Sequence, residues 1–276
     1  MEHCRSAYHY YLYLATALLL LFASCAEEED RPVFVDNSGY GSVLPENVVS
    51  CKSGGTIPGA DPRFIFVKDN DGLLSEIRRK TNDGKTVLYV NYSYAPADTV
   101  SNAVVTMTID DGKAVGRTVC TFLIGPNGFA NSCVERLLSG TRANHWRFFY
   151  DTYGHLVKVD DGGDVCQMTY DMRGNLTRIH NKYDGGETSR ILYTSIPNRG
   201  YMPYRDIQST NVSFGPILSL AYYAGLVGHP STNLPSVCIA ENSYTSRSFR
   251  FEYGFDDAGF LNKVSMKEQK NNISVE

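Results

Sequence analysis

The chain has 276 residues, 42% of them hydrophobic, enough to bury a sizeable core as one domain or two small ones. A net charge of −4 at pH 7 excludes a general nucleic-acid binder, because phosphate contacts need a concentrated basic surface. Nineteen tyrosines favour strands, since tyrosine suits a sheet with one wet face.

The first residues read as a targeting segment. Arg5, with His3 and His9 nearby, makes a weakly basic start, and residues 10–23 form an apolar run too short for a comfortable transmembrane helix. The run ends Leu21-Phe22-Ala23-Ser24-Cys25 and so resembles a bacterial lipobox, which implies cleavage before Cys25 and a lipid on Cys25. An ordinary secretory signal with an incidental Cys25 is the alternative. Ala26-Glu27-Glu28-Glu29-Asp30 repels itself and stays solvated as a stalk. It also resembles the acidic export tag of surface lipoproteins in Bacteroidota-type bacteria, a mere spacer being the alternative. Ala26 next to Cys25 looks like outer-membrane sorting. The expected organisation is a lipoprotein signal peptide over 1–24 and a lipidated Cys25 with flexible tether over 25–62. A β-hairpin repeat domain follows over 63–266, with a helical insertion at about 199–238, and a polar tail over 267–276.

Strands begin at Phe64. Phe64, Phe66 and Lys68 alternate with Ile65 and Val67. Leu88, Val90, Tyr92 and Tyr94 alternate with Tyr89, Asn91 and Ser93 as far as Pro96, the period of a half-buried strand. Residues 104–110 and 118–124 make a hairpin across Asp110-Asp111-Gly112, with Val105, Met107 and Ile109 on one face. Gly125-Pro126-Asn127-Gly128 is a further turn, followed by a degenerate repeat at Ala130 and Cys133.

Two phrases then repeat: Tyr150-Asp151-Thr152-Tyr153-Gly154-His155-Leu156, with Val159, and Tyr170-Asp171-Met172-Arg173-Gly174-Asn175-Leu176, with Ile179. Echoes stand at Asp69, Gly72, Leu74 and Ile77, and at Asp256, Gly259, Leu261 and Val264. In each, a strand ends in Asp-x-x-Gly and the next opens Gly-x-Leu-x-x-Val/Ile. The Asp bonds the backbone two residues on, and the Gly takes the left-handed conformation that closes a type I turn in a bulge. Gly72, Gly154, Gly174 and Gly259 are therefore the expected structural turn positions. Leu156 and Val159 stand three apart and would face opposite sides of a flat strand. Either a bulge follows each Gly or both faces of the sheet are covered. Asp160-Asp161-Gly162-Gly163 and Asp184-Gly185-Gly186 make the opposite-end turns.

The pattern stops between Arg199 and Cys238. Gly215-Pro216, the apolar run 217–227 and then Gly228 read as a helix, Pro suiting the first turn and Gly the stop. Apolar residues lie nearly all round it, which favours a plug in the concave side of a curved sheet over a lid on a ligand cavity. Phe249, Phe251, Tyr253 and Phe255 make the strongest one-faced strand, and residues from Lys267 onward are polar and expected to fray. The fold class expected is mainly β: an antiparallel curved sheet of repeated hairpins packed around one short helix.

Beyond Cys4 and Cys25 the cysteines are Cys51, Cys120, Cys133, Cys166 and Cys238, without a Cys-x-x-Cys, so no zinc or thioredoxin-like motif is indicated. Their odd number forbids full pairing. Cys120 and Cys166 fall in strand-like runs, as small buried hydrophobes do. His145, His155, His180 and His229 form no His-Glu-x-x-His, and neither Gly-x-Ser-x-Gly nor a phosphate-cradling loop occurs. No catalytic, cofactor-binding or metal residue is nominated. Asp69-Asn70-Asp71-Gly72 starts like a calcium loop, but Leu73 and Leu74 replace further oxygen ligands and a hairpin turn accounts for it. Trp146, the single tryptophan, is the candidate ligand platform: exposed it would suit sugar stacking, buried it is core.

The lipobox with its acidic tail, the Gly-x-Leu-x-x-Val/Ile hairpins, the apolar helix and the segment 228–235 together resemble a domain of unknown function in Bacteroidota-type lipoproteins, over roughly residues 64–266. The Tyr-Asp-x-x-Gly-x-Leu phrases also resemble the tyrosine-aspartate repeats of Rhs-type proteins, which form antiparallel strand arrays. The function expected is that of a surface-exposed outer-membrane lipoprotein held at Cys25. It would act as a non-enzymatic binding or accessory module for a glycan or a surface protein, with no cofactor and no nucleic acid. The alternatives are a structural envelope protein without a small ligand and an extracytoplasmic hydrolase. A concave groove lined by Tyr and Trp would favour the binding module; a solidly packed helix would favour the structural role.

Overall fold

The computed structural model describes residues 64–81, 83–97, 102–112, 116–181, 188–198, 215–241, 246–255, 257 and 261–269. The expected signal peptide and tether, with Cys25 and Cys51, and the expected turn position Gly259 lie outside them. All described residues belong to one compact unit, Phe34–Glu276. The described residues form fourteen strands: β1 (Phe64–Lys68), β2 (Leu74–Lys80), β3 (Thr86–Ala95), β4 (Val104–Asp110), β5 (Thr118–Ile124), β6 (Ala130–Leu137), β7 (Ala143–Tyr150), β8 (Leu156–Asp160), β9 (Val165–Tyr170), β10 (Leu176–Asn181), β11 (Thr188–Pro197), β12 (Asn233–Glu241), β13 (Ser246–Phe255) and β14 (Leu261–Gln269). A helix, α1 (Gly215–Tyr223), stands between β11 and β12. The strands form a single antiparallel meander in sequence order, with β1 and β14 as its open edges.

The three-residue spacing of the repeat is a bulge. Lys158 lies opposite Phe149 but Leu156 opposite Tyr150, so Val157 has no cross-strand partner. The same step leaves Ser75, Asn131, Thr177 and Asn262 unmatched in their hairpins. One extra residue reverses the alternation once. Leu74 and Ile77, Leu156 and Val159, and Leu176 and Ile179 thereby share the core side, each at most 2% exposed. The turns themselves are nearly identical. Gly72, Gly154 and Gly174 have φ of 81°, 79° and 79°, a region open to Gly and strained for other residues. Each turn Asp accepts two backbone N–H bonds through Oδ1: Asp69 from Asp71 and Leu73, Asp151 from Tyr153 and His155, Asp171 from Arg173 and Asn175, all at 2.8–3.0 Å.

Tyrosines lock successive hairpins together. A bulge disrupts the ladder locally. In four places a tyrosine hydroxyl on the next strand donates to the carbonyl of the residue that opens the bulge. Tyr94 reaches Leu74 at 2.7 Å, Tyr150 reaches Ala130 at 2.6 Å, Tyr170 reaches Leu156 at 3.1 Å and Tyr193 reaches Leu176 at 2.7 Å. Tyr150 is fully buried. Tyr150→Phe should therefore lose about 1–3 kcal/mol in a urea titration, since it strands a buried carbonyl. Tyr153→Phe, on an exposed turn tip, should stay within about 0.5 kcal/mol of wild type.

The sheet curls around α1. The Tyr223 ring meets Phe66 of β1 at 5.1 Å, and Tyr92 of β3 donates to the Leu220 carbonyl at 3.0 Å. Ile217, Leu218 and Ala221 face Phe122 of β5, Trp146 and Phe148 of β7 and Val159 of β8. Laid flat, β1 to β8 would span about 34 Å at the usual strand spacing. A helix about 10–12 Å across touches both ends of that span only if the sheet wraps it. From Leu218 to Val227 every apolar residue is at most 5% exposed, so the helix and its exit are core.

Three boundaries differ from the sequence reading. The helix stops before Gly228: Gly225 N–H bonds the Tyr222 carbonyl at 2.9 Å and Leu226 N–H bonds the Ala221 carbonyl at 3.0 Å, a Schellman ending at Gly225. β12 starts at Asn233, so Leu234 and Pro235 are strand, with a register shift beside Tyr193 accommodating the proline. The polar end does not fray at Lys267, because Lys267, Glu268 and Gln269 pair with Arg250, Phe249 and Ser248.

Candidate functional site

The chain leaving α1 is fastened along one row of turns. His229 N–H donates to the Gly154 carbonyl at 2.9 Å. Thr232 Oγ1 donates to the Arg173 carbonyl at 2.6 Å. Ser231 Oγ accepts the Leu176 N–H at 3.1 Å and lies 2.9 Å from the Tyr193 hydroxyl. Asn233 N–H donates to Asn175 Oδ1 at 2.8 Å, and Asn175 Nδ2 donates to Asn233 Oδ1 at 3.2 Å. The two central Asp-x-x-Gly turns thus serve as docking points for residues 228–233.

The titratable groups of this row are already engaged. His155 Nδ1 lies 2.9 Å from Asp151 Oδ2, and its ring stacks on Tyr170 with centroids 4.5 Å apart. His229 packs edge-on against Phe129 at 5.0 Å, and Phe129 stacks on Tyr150 at 5.3 Å. Burial pushes the Asp171 carboxyl upward. Hydrogen bonds from the backbone and side chain of Asn175 and from Arg173 N–H outweigh that effect and hold it below the usual carboxylate range. Asp160, on β8, shows the same balance: burial raises it, while Gly162 N–H, Lys158 and Arg147 lower it further. These acids hold turns and ion pairs in their ionised form, the opposite of a carboxyl tuned up to act as a general acid.

Trp146 faces the helix. Its indole N–H donates to Glu135 Oε2 at 3.0 Å, and with Phe122, Phe148, Ile217 and Ala221 it lines a crevice of about 10 Å³. That is room for about one water and not for a sugar. Cys120, Cys133 and Cys166 are free thiols and, like Cys238, are buried. Contact with Cys120 and then burial push the Cys133 thiol well up, and burial does the same to Cys166, so both stay protonated and poorly nucleophilic at neutral pH. Among the described residues no three metal-ligating side chains converge.

The outer face is charged. The side chains of Arg147, Arg190 and Lys267 are 61%, 58% and 65% exposed and pair with Asp160, Glu241 and Glu252 at 3.0, 2.8 and 2.8 Å. Lipid-facing barrel strands carry apolar residues at such positions. No described helix is long and apolar enough to cross a membrane. The docking residues Ser231, Thr232 and Asn233 carried one sequence signal, their place beside the segment that ends the insertion. The outer-face arginines carried another, since Arg190 and Arg250 alternate with core residues.

No family profile matches the chain, and neither does any curated protein. A solved structure of a porin-like protein from Bacteroides uniformis ATCC 8492 resembles it over 74% of this chain and 91% of that one, at 18% identity and a TM-score of 0.48, too distant to bear on the chemistry of either.

Proposed function

We propose that the chain is an outer-membrane lipoprotein, held at Cys25 and exposed at the surface, that serves as a non-enzymatic binding or accessory module for a macromolecule, either a glycan or a surface protein. One observation carries this reading: among the described residues, α1 packs against β5, β7 and β8 so closely that the crevice between them is about 10 Å³. Small-molecule sites are far roomier clefts. The outer face and the turn tips, where Tyr153 and Met172 stand exposed, remain for a partner. Such surfaces suit an extended partner. Charged outer strands support attachment through an acyl chain on Cys25, not through strands buried in lipid. The solid packing also favours the structural envelope role, which differs in retaining no partner.

Cys25→Ala should abolish acyl labelling and move the protein from the membrane to the soluble fraction; unchanged labelling ends the anchor. A pull-down screen of glycans and surface proteins with the full chain tests the module. Retention of a defined partner supports it, and an empty screen leaves the structural role.

A further inference from the structure

The outer face of β10 to β14 breaks a rule of sheet pairing. Arg178 of β10 stands directly opposite Arg190 of β11. Like charges so placed destabilise an antiparallel pair. The registers extend this face across the following strands. Arg190 lies opposite Ile239, Leu192 opposite Val237, Val237 opposite Arg250, and Arg250 opposite Lys267. The intervening Ile191, Cys238 and Phe251 belong to the core, so these residues share the outside.

Two cationic pairs therefore flank an aliphatic strip of Leu192, Val237 and Ile239, with Leu192 56% exposed. The nearest cations of the two pairs, Arg190 and Arg250, stand two strand spacings and two residues apart, about 12 Å. Glu241 pairs with Arg190 and Glu252 with Lys267, each at 2.8 Å. Among the described residues no carboxylate pairs with Arg178 or Arg250. Two of the four cations are thus uncompensated, on a chain whose net charge is −4. A local rule broken without visible compensation marks a surface kept for contact.

We propose that this face binds an acidic polysaccharide. The proposal rests on the binding-module reading and names the partner class. Planar guanidinium groups grip carboxylates or sulfates with two parallel bonds. The aliphatic strip between them suits the C–H face of a sugar ring, and exposed Thr169, opposite Arg178, offers a hydroxyl. A continuous anionic bilayer would press Glu241 and Glu252 against its own charges, whereas a linear chain runs between them.

The test uses the full chain in detergent micelles, with polygalacturonate as probe and neutral dextran and phosphatidylglycerol vesicles as the other arms. Polygalacturonate should bind, more weakly as salt rises, and dextran should not. The double variant Arg178→Ala/Arg250→Ala should lose roughly tenfold or more in affinity, as expected for two charge-assisted contacts, with a melting temperature no lower than that of wild type, since like-charge repulsion across the strands is relieved. The charge-keeping Arg178→Lys/Arg250→Lys should retain part of the binding. Absence of polygalacturonate binding by wild type, equal binding by the alanine variant, or vesicle binding alone would overturn the proposal. Retention of a neutral glycan or a protein by wild type and alanine variant alike would end this assignment while leaving the binding module standing.

Discussion

Gly228→Ala should destabilise the chain by about 2–5 kcal/mol, against about 1–2 kcal/mol for Gly72→Ala. Both residues have positive φ, 89° and 81°, so an alanine at either carries the left-handed strain of an L residue. They differ in their surroundings. A Cβ on Gly72 meets nothing within 4 Å, whereas one on Gly228 would lie 2.8 Å from the Gly154 carbonyl and 3.0 Å from Leu156 N. Those neighbours are backbone of the β7–β8 turn and cannot rotate aside. The comparison is made on denaturant midpoints at constant slope. Equal losses at the two sites would mean that residues 228–233 are not packed on the turn row.

Ala221→Asp should prevent folding or lower stability by more than about 4 kcal/mol, because it places an unpaired carboxylate in the apolar crevice between α1 and β5, β7 and β8. Ala221 is fully buried. Ala221→Ser gives a graded version, about 1–3 kcal/mol from an ill-satisfied hydroxyl. Leu138→Asp, at an exposed site, should change stability by no more than about 0.5 kcal/mol. Thermal unfolding of the sheet followed by circular dichroism decides between plug and lid. A helix that merely covered the sheet would leave the main transition of Ala221→Ser where it is in wild type and detach on its own at lower temperature.

The strands were readable because their signals are local. β4 and β5 begin and end where alternation and Asp110-Asp111-Gly112 put them, and the Asp-x-x-Gly turns are set by the Asp oxygen and the glycine backbone alone. The bulge was readable as one of two options, since Leu156 and Val159 cannot share a flat strand's face; the register chose between them. What escaped the sequence depends on distant partners. Gly225 and Gly228 both follow an apolar run, and only the bonds to Ala221 and Tyr222 show which one ends the helix. Polar residues from Lys267 onward looked free until β13 supplied Glu252 and Phe249 as neighbours. Trp146 could be assigned to the core or the surface only once α1 was in place. The opposition of Arg178 and Arg190 is invisible without the pairing of β10 and β11.

The contact of Phe66 with Tyr223 also sets an order of events during synthesis. Each hairpin needs only its sequence neighbours, so the strands can zip together as the polypeptide emerges, N-terminal ones first. Their greasy lining, however, waits for a segment made much later, after β11. Nascent chains that end short of residue 215 would carry that lining bare, and such intermediates are the ones that clump or recruit chaperones. The late rivet makes completion of residues 215–227 the step that covers the lining, after β1 to β11 have already been made.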